Sequence, residues 1–244
     1  MYYPSFSDFL KLSKQGNVIP VYKEINADLD TPVSSFLKLR KNKYAFLLES
    51  VEGQEKLARY SFLGSDPALI FSSKGRNIEI RYNTKKKTER FVTDTDPLSE
   101  IKKVMQGFKA VPVTGLPRFY GGLVGYMGYD TVRFFERIPD KNPDELDIAD
   151  TFFMLTDTIL LFDHVNHTIK VVANVMVPEK ASAAQKKRAY AQAVRKIDVL
   201  INDCNRTIPR KPSRSSGNAV FSSNFKKIAL CDIVRKSQKY IRAG

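Results

Sequence analysis

His164 and His167 are the only two histidines of the chain, and a His-x-x-His spacing is one with which two imidazoles can reach a single metal ion. A zinc site needs three or four protein ligands, and only Asp163 stands beside them, so the pair reads as part of a hairpin turn. The run Gly121-Gly122-Leu123-Val124-Gly125-Tyr126-Met127-Gly128-Tyr129-Asp130 is rich enough in glycine to suggest a phosphate cradle. Dinucleotide loops need Gly-x-Gly-x-x-Gly between a strand and a helix, and triphosphate loops end in Gly-Lys-Ser/Thr; neither pattern is present. Glycines at 122, 125 and 128 among Tyr and Val suit a strand packed closely against another backbone. Lys186-Lys187-Arg188 and the basic residues from Arg206 to Arg214 offer charge for phosphates, but single-strand binders interleave stacking aromatics, and only Tyr190 lies near. No Ser-His-Asp, Cys-His or paired-carboxylate arrangement follows from spacing, so the residues alone assign no catalytic group and no metal ligand.

The elements that would hold these residues are marked by their caps. Thr31-Pro32 opens a helix with Val33, Phe36 and Leu37 on one face, and Asp96-Pro97 opens another with Leu98, Ile101, Met105 and Phe108. An earlier helix spans Ser5 to Gln15, closed by Gly16. Between them, period-two patterns predict strands at Val18 to Lys23, Tyr44 to Ser50, Ala68 to Ser73, Ile78 to Tyr82 and Thr88 to Val92. Thr158 to Asp163 and Thr168 to Val175 form a further pair across His164 to His167. Short turns demand antiparallel pairing, and helices inserted singly between such strands predict an α+β fold with antiparallel sheets.

Past Pro178 the texture changes. Tyr190, Val194, Ile197, Ile201 and Cys204 recur at helical spacing in an Ala- and Lys-rich C-terminal amphipathic helix. Asn205 to Ala219 reads as a flexible linker. An orphan helix from about Asn224 then places Ile228, Cys231, Val234 and Ile241 on one side. Residues 205–244 are expected to stay mobile beside a folded body.

The formal charge of +14 is unevenly spread. Residues 1–178 carry 24 Lys/Arg and 22 Asp/Glu, whereas residues 179–244 carry 16 and 4. A near-neutral body argues against a nucleic-acid protein, since the basic excess lies on a helix face and a linker. Two separated cysteines, Cys204 and Cys231, suggest a reducing compartment. The opening Met1-Tyr2-Tyr3-Pro4 shows no secretory signal, and no apolar run approaches the roughly 20 residues of a membrane span, so a cytoplasmic protein with no membrane partner is expected.

Three stretches go further. Ile19-Pro20-Val21-Tyr22-Lys23-Glu24 with Asp30-Thr31-Pro32-Val33, then Phe46-Leu47-Leu48-Glu49-Ser50-Val51-Glu52-Gly53-Gln54-Glu55-Lys56, and Arg59-Tyr60-Ser61-Phe62-Leu63-Gly64 with Asp66-Pro67, resemble the opening of anthranilate synthase component I. The glycine-rich run resembles the family's GGxVGYxGYD motif, and Ser223-Asn224-Phe225 through Gly244 resembles the first helix of its chorismate-binding domain. The resemblance implies an N-terminal regulatory domain over residues 1–178, a connecting helix over 179–204, a linker over 205–222 and the start of a truncated chorismate-binding domain over 223–244. It also implies that the full-length protein converts chorismate to anthranilate in tryptophan biosynthesis, with Mg2+ and with ammonia from a glutamine amidotransferase component II. The family's chorismate and Mg2+ groups are expected beyond Gly244, so no catalytic residue is carried over and this chain is expected to be inactive alone.

In the family the serine of the Leu-Leu-Glu-Ser stretch helps bind L-tryptophan as feedback inhibitor, which points to Ser50 here. A hydroxyl donates and accepts, and so suits the ammonium or carboxylate of a free amino acid while apolar neighbours take the indole. Glu49 and Tyr22 are further candidates for the same pocket, and Arg59 is either a fourth or a structural ion-pair residue. Aminodeoxychorismate synthase component I shares the architecture and is the alternative within the superfamily; a basic-tailed nucleic-acid-binding module is the alternative outside it.

Overall fold

Runs of β-branched and aromatic residues separated by short turns gather into two five-stranded sheets, antiparallel throughout, in the computed structural model of the chain. The structure describes residues 1–39, 44–49, 59–84, 86–141, 143–208 and 222–244. The helices are α1 (Phe6–Leu12), α2 (Pro32–Leu39), α3 (Pro97–Gln106), α4 (Ala183–Cys204) and α5 (Lys227–Ala243). The strands are β1 (Val18–Asn26), β2 (Ala45–Leu48), β3 (Tyr60–Ser65), β4 (Leu69–Lys74), β5 (Asn77–Tyr82), β6 (Lys87–Val92), β7 (Gly122–Met127), β8 (Thr151–Thr156), β9 (Thr158–Asp163) and β10 (Thr168–Met176). Residues 1–209 and 210–244 are separate compact units, α5 lying in the second. Among the described residues, no helix is long and apolar enough to cross a membrane.

The first sheet runs β1-β10-β9-β3-β2 and the second β6-β5-β4-β8-β7. Each strand's side chains alternate between two faces, so each sheet has an inner and an outer surface. On the inner side, Tyr22, Val172, Ile159 and Phe46 of the first sheet meet Met154, Val124 and Phe152 of the second. Outside the first sheet, Ile19, Val21, Leu160, Phe162, Ile169 and Val171 pack under Phe9, Leu39, Ala193 and Ile197 of α1, α2 and α4. Outside the second, Leu69, Phe71, Ile78 and Ile80 pack under Ile101, Val104 and Met105 of α3. Each fully buried side chain of this size contributes about 1.5–3 kcal/mol.

The Thr31 and Asp96 caps form as the sequence predicts, and α4 adds one that it does not single out. The Ser34 N–H donates to Thr31 Oγ1 and the Thr31 N–H to Ser34 Oγ, both at 3.0 Å. Asp96 accepts the Ser99 N–H at 2.9 Å, ahead of Pro97 in the first turn of α3. α4 carries a full capping box between Ser182 and Gln185. Other expectations need correction. α2 buries Pro32, Ser35 and Leu39 and leaves Val33 and Leu37 exposed, because its inward face is one step round from the one expected. α1 ends at Leu12 with Ser13 as its cap; Gly16 is needed instead where the chain passes Lys109, whose carbonyl oxygen would lie 2.4 Å from an added Cβ. β3 and β8 are additional strands, and β2 stops at Leu48, short of Ser50.

The glycines of β7 divide by physical role. Gly122 adopts φ of 128°, a region that disfavours side chains, but an added Cβ there would meet nothing within 4 Å. Gly125 is the one packed against backbone: a Cβ would lie 1.9 Å from the Phe152 carbonyl oxygen. Gly125→Ala is therefore expected to force β7 away from β8 and lower stability by about 3 kcal/mol. Gly107→Ala, with no heavy atom within 4 Å of the new Cβ, is the control and should stay near wild type. Urea midpoints of the two variants check this; equal midpoints would count against the close approach.

Candidate functional site

Leu47 and Leu48 of the Leu-Leu-Glu-Ser stretch end β2, an edge strand of the first sheet. Phe46 points into the inter-sheet core, and Leu48, two residues on, shares its face but is 45% exposed. Leu48 sits opposite Phe62 of β3, whose ring meets the edge of Phe119 at a centroid distance of 5.1 Å. Tyr60 continues the row, with its ring 6.2 Å from Phe62. The inner core thus opens at this end into a partly exposed apolar and aromatic wall. Glu49 follows Leu48 directly and is exposed. Ser50 lies outside the described residues.

Tyr22 is placed elsewhere. It sits on β1, at the opposite edge of the same sheet from β2, four strand spacings or about 19 Å away. Its ring is buried and stacks on Tyr3 at 5.6 Å, and its hydroxyl donates to the Thr114 carbonyl at 3.2 Å. Burial pushes the phenol up. Tyr22 and Glu49 share one sheet, and the structure does not bring them to one pocket. What Tyr22 does is close the inner core beside Gly115, whose φ of 90° keeps that loop free of a side chain over the hydroxyl.

Arg59 resolves as an ion-pair residue. Its Nε and Nη2 donate to the two oxygens of Asp163 at 3.0 and 2.7 Å, while its guanidinium covers the Tyr60 ring at 4.9 Å. Asp163 is buried and also accepts from the Val165 and Asn166 N–H groups and from Asn166 Nδ2. Burial alone would raise this carboxyl; the Arg59 and backbone hydrogen bonds outweigh it and hold it below the usual carboxylate range. His164 Nε2 lies 2.8 Å from Ser61 Oγ, and His167 supplies a left-handed turn residue at φ 51°. With Asp163 committed to Arg59, the turn offers two imidazoles and no third ligand. Among the described residues no group of three His, Cys, Asp or Glu is placed to hold a metal ion.

A concavity of about 830 Å3 is lined by Gly75, Arg76, Tyr126, Tyr129, Arg133, Asp144 and Asp150, among others. Several of its charges pair with one another. Lys74 donates to Asp144 and to the Ile148 carbonyl, with Asp147 and Asp150 within 4 Å, and Lys74 holds the Asp144 carboxyl below its usual range. Arg133 serves Asp130 and the Ile138 and Pro139 carbonyls. Tyr190, which follows the basic run of α4 in sequence, packs on Phe6 and Phe9 and donates to Pro4 O, so its ring is taken up in packing. Sequence reasoning does not single out Phe119, whose only signal is one aromatic residue in a loop; the wall needs the fold to assemble it.

Two antiparallel sheets with a half-open aromatic wall beside Leu48 at the end of β2 make an α+β body. The chain belongs to the chorismate binding enzyme family, whose model matches residues 43–244. Its relatives there include anthranilate synthase component 1 of Acetivibrio thermocellus, 35% identical over 255 residues and covering 100% of this chain and 49% of that protein. The component 1 protein of Aquifex aeolicus is 36% identical over 243 residues, 98% of this chain and 48% of its own length. The crystal structure of anthranilate synthase component I from Streptococcus pneumoniae TIGR4 aligns at a TM-score of 0.43 and 24% identity, over 71% of this chain and 36% of that one. The chain spans about half the length of the curated relatives it matches.

Because the Asp163 carboxyl is held down in the folded state, the pair's stabilisation is fully present above the unfolded carboxylate value, about 3.9, and is lost as pH falls through the lower folded value. Arg59→Gln should leave Asp163 buried with fewer donors, so that acid unfolding begins at a higher pH than in wild type. Circular dichroism across pH 2 to 7 checks this. Superimposable acid transitions would mean that the pair is screened to insignificance.

Proposed function

We propose that the chain is the regulatory part of an anthranilate synthase component I, contributing Ser50, with Glu49, to an L-tryptophan feedback site. In this reading the full-length protein carries out the first step of L-tryptophan biosynthesis in the cytoplasm, taking chorismate and ammonia or glutamine to anthranilate with a glutamine amidotransferase component II. The observation that carries it is the half-exposed wall of Leu48, Phe62 and Phe119 beside Glu49, in a chain whose relatives are anthranilate synthase component 1 proteins over nearly its whole length. A flat apolar wall suits an indole, and a neighbouring exposed carboxylate suits the ammonium of a free amino acid. Tyr22, on the far edge of the sheet, is not part of this site. The described residues do not by themselves fit Mg2+, since no ligand cluster forms among them and the best-placed carboxylates are taken by Lys74. No catalytic step is assigned to them.

One wall leaves the indole partly in water, and each lost contact of 1.4 kcal/mol weakens binding about tenfold. Tryptophan is therefore expected to bind this chain weakly, at about millimolar strength, and Ser50→Phe is expected to abolish the interaction by removing the hydroxyl and filling its space. NMR titrations of wild type with L-tryptophan and D-tryptophan, and of Ser50→Phe with L-tryptophan, read this out. Equal shifts in all three would sink the site. With chorismate, Mg2+ and ammonium supplied, the chain alone should form no anthranilate, and fluorescence above a protein-free control would show otherwise.

A further inference from the structure

Two sheets leave four edge strands, and three of them are protected. On β1, Tyr3 bridges the outer side, its N–H donating to Tyr22 O and its carbonyl accepting the Tyr22 N–H at 2.8 and 2.7 Å. β2 is only four residues long. β6 carries Lys87, Glu89 and Arg90. β7 has none of these devices: Gly-Leu-Val-Gly-Tyr-Met contains no charge and no proline.

The free backbone groups of β7 can be assigned. Gly122 to Met127 pair in register with Thr156 to Thr151 of β8, and the next pair in line, Gly128 and Asp150, is joined by the Gly128 N–H to Asp150 O. Antiparallel ladders alternate, so the even residues 122, 124 and 126 turn their N–H and C=O towards β8. Leu123, Gly125 and Met127 turn theirs outward, and no described residue receives them. The two faces of β7 are already committed to apolar layers, Leu123 to the α3 side and Val124 to the inter-sheet side. Around the strand's end, Tyr126, Met127, Tyr129 and Phe135 are all exposed, more apolar surface together than scattered single residues account for.

We propose that the outer edge of β7 is a strand-pairing site, occupied by an apolar strand of the polypeptide that makes up the other half of the relatives' length. This rests on the family reading and deepens it by naming a partner. A polypeptide strand matches three alternating outward donors and acceptors in register, and a strand extending both layers must be apolar on both faces. The relatives supply a source, since this chain matches 49% of the Acetivibrio thermocellus protein and 48% of the Aquifex aeolicus one.

The test is to co-express the chain with the unmatched half of the Acetivibrio thermocellus protein, purify the pair and follow amide exchange. Leu123, Gly125 and Met127 should exchange freely in the chain alone and become protected in the complex, with Val124 and Tyr126 protected in both. Met127→Pro removes one outward donor where an edge strand tolerates proline, and should weaken the complex by about tenfold while leaving the inward amides protected. Absence of a complex, or a complex in which the three outward amides still exchange freely, overturns the proposal. Protection that grows with the concentration of the chain alone assigns the edge to a second copy and overturns it as well. Failure of the tryptophan titration with β7 protection intact would remove the proposed ligand and leave the pairing standing.

Discussion

The single residue Asp157 separates β8 from β9, and that brevity constrains the rest of the body. One residue cannot carry the chain around a sheet, so the second sheet must meet the first at a shared corner. The corner is tied down from two sides: the Asp157 carbonyl accepts the Asn174 N–H of β10 at 2.7 Å, and its carboxylate takes Lys196 of α4 at 2.6 Å. The return crossing, from β3 to β4, is nearly as short and uses Asp66 at φ 53° before Pro67. Two short crossings bring the inner faces together. The inner row Tyr22, Val172, Ile159 and Phe46 then closes over Gly64, where Phe46 Cε1 would lie 2.5 Å from an added Cβ.

A sandwich joined at a corner is tight there and open elsewhere. That geometry accounts for both surfaces of interest. β2 ends at Leu48 opposite Phe62, and among the described residues the inner core is left as a half-exposed aromatic wall beside Glu49. β7 sits at the far side of the second sheet, with layers on both faces and no described residue along its outer edge. Neither is a defect of packing, since both follow from strand order.

Much of this is legible in the residues. Thr31-Pro32 and Asp96-Pro97 mark helix starts because the cap hydroxyl or carboxylate and the missing proline N–H act locally. The β9–β10 hairpin is readable for the same reason, its alternation and turn needing no distant partner. β3 and β8 are harder: Gly64 carries weak strand preference in β3, while the Phe-Phe-Met-Leu run of β8 has no polar alternation to mark it, so both are defined by long-range pairing. The wall is least legible of all. Leu48, Phe62 and Phe119 are spread over seventy residues of chain, and nothing in their local sequence says that they meet. Tyr22 shows the converse: motif proximity gathers it with Glu49, while strand order puts it at the opposite edge of the sheet from β2. The balance of charge is readable only in total, since composition cannot say that Lys74 will gather three carboxylates or that Arg59 will find Asp163.

The pairing of β1 with β10 also orders events in time. Asn26 and Thr168, the partners least separated along the ladder, are still ~140 residues apart in sequence. At a ribosomal pace of about 5–20 residues per second, β1 leaves the ribosome several seconds before its partner exists. Throughout that interval Ile19 and Val21, fully buried at the end, are uncovered on a nascent chain. The body therefore completes its first sheet late, after most of it has been synthesised.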